Sequence, residues 1–180
     1  MPGMDTSFSG KKLRFGLNIS GSIVSEGGVA EGVRTNILAV KAAGIPYALN
    51  RFDIGRSPNT VDSYAPELVQ ENPYDINLIH LNPNKVLIFY DSMGPNYFRG
   101  KYNIGFWAWE LSTFPHKWHD RFNYFHEIWT PSAFCLEALA PVSPVTVKKV
   151  MHAVEVKTPR KSERKHFGIP EERFVFFFMF

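Results

Sequence analysis

Apolar positions along the chain fall into two kinds of stretch: short runs of strand length and longer segments spaced three and four apart. Their regular alternation predicts a layered α/β domain. The first unit is residues 12–43, KLRFGLNISGSIVSEGGVAEGVRTNILAVKAA. Leu13, Phe15, Leu17 and Ile19 read as a buried strand, and Gly21 to Gly28 as a glycine-rich turn. Val29, Val33, Ile37 and Val40 then form one stripe of an amphipathic helix. Ala43-Gly44-Ile45-Pro46 stops that helix, and Tyr47 to Phe52 is a second strand ending at Asp53. A loop rich in Ser, Pro and Asn follows over 54–73, with a short helix expected over Pro66 to Gln70.

Asp75 to Leu81 is a third strand, apolar apart from Asn77 and His80, and Pro83 opens a helix running to Met93. Tyr102 to Trp109 (YNIGFWAW) is a fourth strand with Glu110 at its end. Pro115 opens a helix carrying Trp118, Phe122 and Phe125. Glu127 to Thr130 is a fifth strand, Ser132 an N-cap for a helix over Ala133 to Ala140, and Val145 to Val150 a sixth strand. Connections of this length between strands predict a doubly wound parallel sheet covered on both faces. The pattern changes after that. Lys157 to Ser162 reads as a charged linker, Glu163 to Phe167 as a short helix, and Phe174 to Phe180 (FVFFFMF) as a strand without neighbours. The expected division is residues 1–156 as one domain and 157–180 as a linker plus the opening strand of a second.

In an open parallel sheet, ligands sit outside the carboxyl ends of the strands. Those ends carry Ser20-Gly21, Asp53, His80-Leu81-Asn82, Trp109-Glu110, Thr130-Pro131-Ser132 and His152. A helix starting at Gly28 would turn unpaired N–H groups toward the glycine loop, where a phosphate or carboxylate fits. GSIVSEGG matches neither G-x-G-x-x-G nor a Walker loop, so Gly27-Gly28 alone reads as well as a flexible turn. His80 reads either as a core histidine or as a site residue beside Asn82. Glu110, a carboxylate next to two tryptophans, requires a partner, an exposed position or a ligand. Neither a metal-ligand spacing nor a Ser-His-Asp order emerges.

Composition sharpens this picture at a few points. The 180 residues suit one domain or one and a part, and 44% hydrophobic with 21% charged residues fits a globular chain. Sixteen Phe and four Trp predict an aromatic core or rings lining a cleft. The net charge is only +3, much of the excess lies between Lys157 and Lys165, and basic residues are not interleaved with aromatics. Nucleic acid is therefore a poor partner. The one cysteine, Cys135, excludes an intrachain disulfide and reads as a small buried hydrophobe in a reducing compartment. With neither a signal peptide nor a membrane span in the pattern, a cytoplasmic protein is expected, and peripheral association with the membrane is compatible with it.

Five segments taken in order resemble a known family: SEGGVAEGVRTN (Ser25 to Asn36), PYDINLIHLNP (Pro73 to Pro83), FRGKYNIGFWAWELSTFP (Phe98 to Pro115), EIWTPSAFCLEALA (Glu127 to Ala140) and VMHAVEV (Val150 to Val156). The chain is similar to the N-terminal half of a GT-B fold glycosyltransferase of the retaining family 4 group, and the WAWEL-x-x-FP segment to a bacterial subgroup that builds cell-envelope polysaccharide. His166 to Phe180 resembles the start of the second domain of such enzymes. The resemblance implies a Rossmann-like acceptor-side domain whose partners are a nucleotide sugar and a hydroxyl-bearing glycan, lipid or other acceptor. It implies no metal or other cofactor, a donor-side domain outside this chain, a place at the inner face of the membrane, and no activity without that second domain. By position, Gly27 and Gly28 match the glycine loop that approaches the donor diphosphate. His80 matches a rim histidine, and Trp109-Glu110 stands where many relatives carry a donor-contacting histidine. His80 and Glu110 are thus the catalytic candidates, and Gly27, Gly28, Asn82, Trp109, Ser132 and His152 the substrate-binding ones. Self-association through Phe174 to Phe180 is a further expectation. The competing reading is a non-catalytic Rossmann-like module that binds a ligand or partner.

Overall fold

A computed structural model describes residues 14–52, 62–154, 164–176 and 178. Six strands form one all-parallel sheet: β1 (Leu17–Gly21), β2 (Tyr47–Arg51), β3 (Ile76–His80), β4 (Tyr102–Phe106), β5 (Glu127–Thr130) and β6 (Thr146–Lys149). Their order is β2-β1-β3-β4-β5-β6. Chain order runs one way from β1 to β2 and the other way from β3 to β6. The reversal creates a switch point between β1 and β3, and right-handed crossovers then place the two sets of connections on opposite faces.

The register shows why. Ile19, Leu49, Leu78 and Ile104 are neighbours across the sheet on one face. There α1 (Gly28–Ala42) packs Val33, Ile37 and Val40 against Ile19 and Leu49. The opposite face carries Ile79, Trp107 and Ile128, packed with Phe89 of α2 (Val86–Met93), Tyr97 and Phe98 of α3 (Pro95–Phe98), Phe122, and Leu139 of α4 (Ala133–Leu139). The aromatic-rich composition is thus concentrated in one cluster, where Phe89 meets Phe52, Tyr97 and Phe98 edge to face.

Buried polar residues interrupt this second face, three of them asparagines that form a ladder. Asn18, Asn77 and Asn103 are in register on β1, β3 and β4. Asn18 Nδ2 donates to Asn77 Oδ1 (2.8 Å), and Asn77 Nδ2 donates to Asn103 Oδ1 (2.8 Å). Asn18 takes the Tyr74 backbone N–H at 3.0 Å, Asn77 Nδ2 also reaches the Tyr97 carbonyl, and Asn103 Nδ2 the Phe98 carbonyl. Each amide is satisfied, as burial demands.

Several elements differ from the sequence reading. β1 begins at Leu17, and Phe15 is largely exposed. Gly16 in between has φ +147°, and a side chain there would run into the Tyr74 ring. Val29 is exposed in the first turn of α1, so the buried stripe consists of Ala30, Val33, Ile37 and Val40. The helix expected over Pro66 to Gln70 is replaced by a 3₁₀ helix over Asp62–Glu67, held by Lys41 and Tyr47 on Glu67; Leu68 then pairs with Leu49. Pro83 opens a 3₁₀ turn before α2, because its ring preorganises the turn without donating a hydrogen bond. α3 was not expected. β4 ends at Phe106, three residues early, and the segment expected to be helical after Pro115 is 3₁₀ over His116–Tyr124. Phe174 to Phe176 and Phe178 are not in a strand and stand exposed. Leu13, Asp53, the proposed boundary at 156/157 and the linker Lys157 to Ser162 lie outside the described residues. Among the described residues no helix is long and apolar enough to cross a membrane.

Candidate functional site

The glycine loop after β1 is held from inside. Arg34, one turn and a half into α1, donates from Nη1 to the carbonyls of Ile23 (3.0 Å) and Ser25 (2.8 Å), and its Nε meets Glu31 (2.9 Å). Its side chain is 11% exposed, so the guanidinium works as an internal brace. Gly27 caps α1 with φ +125°, a conformation that favours glycine, and no side chain caps the helix. Among the described residues, a Cβ at Gly27 or Gly28 would touch nothing within 4 Å. The first N–H groups of α1 have no partner within the helix, and the positive end of the helix dipole lies behind them.

Next to this opening lies a stack of three rings. His80, at the end of β3, is buried and stacks on Phe106 at 4.5 Å, and Phe106 stacks on His152 at 4.9 Å. Asn36 of α1 lies 3.2 Å from His80 Nε2 through its side-chain nitrogen, which makes Nε2 the acceptor on a neutral ring. Burial, helped by the neighbouring His152, pushes the His80 pKa down to about 3. Burial also lowers His152. His80 thus stays uncharged through the physiological range and serves as a fixed hydrogen-bonding group. His152 lies so close to α1 that a Cβ on Gly32 would fall 2.7 Å from its Cε1, and its Nδ1 is buried without a hydrogen-bond partner among the described residues. The chain after β6 thereby returns over the α1 face, where Ala153 and Val154 line a cavity of about 260 Å³ with Leu38, Ala39 and Ala42.

Asn82, Trp109 and Ser132 form a second group at the same edge of the sheet. Asn82 Oδ1 accepts from the Ala108 backbone N–H at 3.0 Å. Cys135 Sγ donates to the Trp109 carbonyl at 2.9 Å, and Ser132 Oγ caps α4 by accepting from Cys135 N–H at 3.1 Å. Trp109 packs edge to face on Phe114 (5.2 Å) and Trp118 (5.4 Å), and its indole N–H donates to the Thr113 carbonyl (2.9 Å). Glu110 follows, exposed and without a hydrogen bond or ion pair among the described residues.

All eight singled-out residues thus lie at or just beyond carboxyl ends of parallel strands, in two sets. Gly27, Gly28, His80 and His152 gather around the first turns of α1, and Asn82, Trp109, Glu110 and Ser132 around the loop after β4. No described contact joins Glu110 to either histidine. Arg34, Asn36 and Phe106 are not among the residues the sequence singles out for the site: the first two are polar residues within an amphipathic helix, and Phe106 looks like any strand aromatic. Only their spacing from Gly28 and His80 would have pointed to them. No group of three or more His, Cys, Asp or Glu residues able to hold a metal ion occurs among the described residues. No family model matches the chain, and no curated protein matches it either.

Proposed function

We propose that this chain is the acceptor-side half of a GT-B glycosyltransferase, a domain that works with a donor-side partner domain to move a sugar from a nucleotide sugar to a hydroxyl acceptor. The observation that carries the reading is the open, glycine-bordered start of α1 at the β1/β3 switch point, flanked by the His80–Phe106–His152 stack. Glycosyl transfer needs the departing diphosphate neutralised and the acceptor hydroxyl oriented. Unpaired N–H groups at the head of a 15-residue helix supply the first need without a metal. The polar residues along the lip serve the second, and the buried, neutral His80 holds this part of α1 in place through Asn36.

The test is Gly28→Asp in the full-length gene product. Its side chain enters empty space and a carboxylate suits a helix start, so thermal stability should hold or rise. Transfer should fall at least tenfold, about 1.4 kcal/mol of barrier, because the new charge opposes the diphosphate. Undiminished transfer from a nucleotide sugar would remove the diphosphate from this loop. Absence of any transfer or nucleotide-sugar hydrolysis in the full-length product would favour the non-catalytic module.

A further inference from the structure

We infer that the acceptor is a carbohydrate, seated on Trp109 and Trp118 with its hydroxyls held by Glu110. Calling this ligand the acceptor rests on the transferase reading; the binding of a sugar ring here does not. Both indoles are partly buried and packed on the core around Phe114, and they meet each other edge to face at 5.4 Å. The platform is immobilised at several points: by Trp109 Nε1 on Thr113, Cys135 Sγ on the Trp109 carbonyl, and Asn82 on Ala108 N–H. A rigid aromatic surface binds with little loss of side-chain freedom.

The residues around the rings choose the ligand class. Glu110, Ser112, Thr113 and Lys117 are exposed beside them together with the apolar Leu111, so the surface is amphipathic and unlike the continuous apolar groove a lipid chain needs. The ammonium of the exposed Lys117 lies 4.7 Å from the Trp118 ring centroid and covers that face. A sugar would displace an exposed cation–π contact worth about 0.5–1 kcal/mol. Pyranoses offer what remains to be matched: a face of C–H bonds for an electron-rich ring, and vicinal hydroxyls that donate in pairs to a carboxylate. Glu110 is an exposed carboxylate with both oxygens uncommitted to described residues, directly after the anchored tryptophan.

Intrinsic fluorescence gives the measurement. Of the four tryptophans, Trp107 is fully buried and Trp129 packs with Ile104 and Phe106 on the other face of the sheet and donates to Glu127, so a sugar bound here would act chiefly on Trp109 and Trp118. The chain should be titrated with mannotriose, maltotriose, chitotriose and a galactose trisaccharide. A saturable blue shift with at least one is expected, weakened about twofold to tenfold in Trp118→Ala, the range a lost ring contact gives. Glu110→Gln, at an exposed position that leaves folding intact, should weaken the same sugar by a similar factor and keep the shift. Binding undiminished in both variants would overturn the location, and no saturable response to any of the four would overturn the ligand class. Sugar binding lost in the variants, in a full-length protein that consumes no donor, would leave this inference standing and end the transferase reading alone.

Discussion

Gly32 sits in the second turn of α1, where glycine costs about 1 kcal/mol of helix stability relative to alanine. The ring of His152 occupies the space a Cβ would take. Gly32→Ala should therefore destabilise by about 1–3 kcal/mol despite the better helix former. In a His152→Ala background the same change should become neutral or stabilising, and chemical denaturation of the four combinations reads the coupling directly. The two histidines also predict a pH dependence. Both have folded pKa values below that of an ordinary histidine, so the unfolded chain binds more protons as pH falls. Their stabilisation is complete above the unfolded value of 6.5 and is lost as pH drops toward the folded value of about 3 for His80. The melting temperature should decline below pH 6.5, and His152→Phe, which keeps a ring for Phe106 to stack on, should flatten part of that decline. An unchanged slope would mean that His152 does not titrate between the two states.

At the level of elements, the asparagine ladder ties β1, β3 and β4 together at the end of the sheet away from the site. Asn77→Ala would strand Asn103 Oδ1, leave the Tyr97 carbonyl with Asn72 as its remaining side-chain donor, and take one acceptor from Asn18. A loss of about 2–4 kcal/mol in a urea titration is expected, with the m-value unchanged. Strand positions were legible from sequence because parallel strands buried on both faces must be nearly all apolar. The asparagines looked like mere interruptions, since only the register makes them neighbours. The apolar pattern outruns β4 because Trp107, Ala108 and Trp109 continue it, while Trp109 leaves the sheet to pack on Phe114 and Trp118. The segment after Pro115 carries Trp118, Phe122 and Phe125 at spacings that α and 3₁₀ helices share, and periodicity does not separate the two over so short a stretch.

For the whole molecule, the sheet order makes one edge the natural place for a ligand, and that edge was predictable once parallel strands were recognised. Its division into two groups was not: side-chain direction at a strand end depends on where each strand stops, and β4 stops early. The exposed Phe174, Phe176 and Phe178 are 84%, 90% and 79% accessible and carry no charge between them. A surface of that kind associates in water. Sedimentation should show concentration-dependent self-association of the 180-residue chain, abolished by Phe176→Glu. A monomer at all concentrations would show that these exposed rings do not bring two chains together.

The asparagine ladder also constrains how such a sequence can drift. Each of the three amides is both host and guest, so an apolar replacement at one rung penalises the next, and single steps away from the trio run uphill. Descendants of this gene should retain positions 18, 77 and 103 as a set or exchange them together, leaving a signature of concerted change in strands that otherwise vary freely among Val, Ile and Leu.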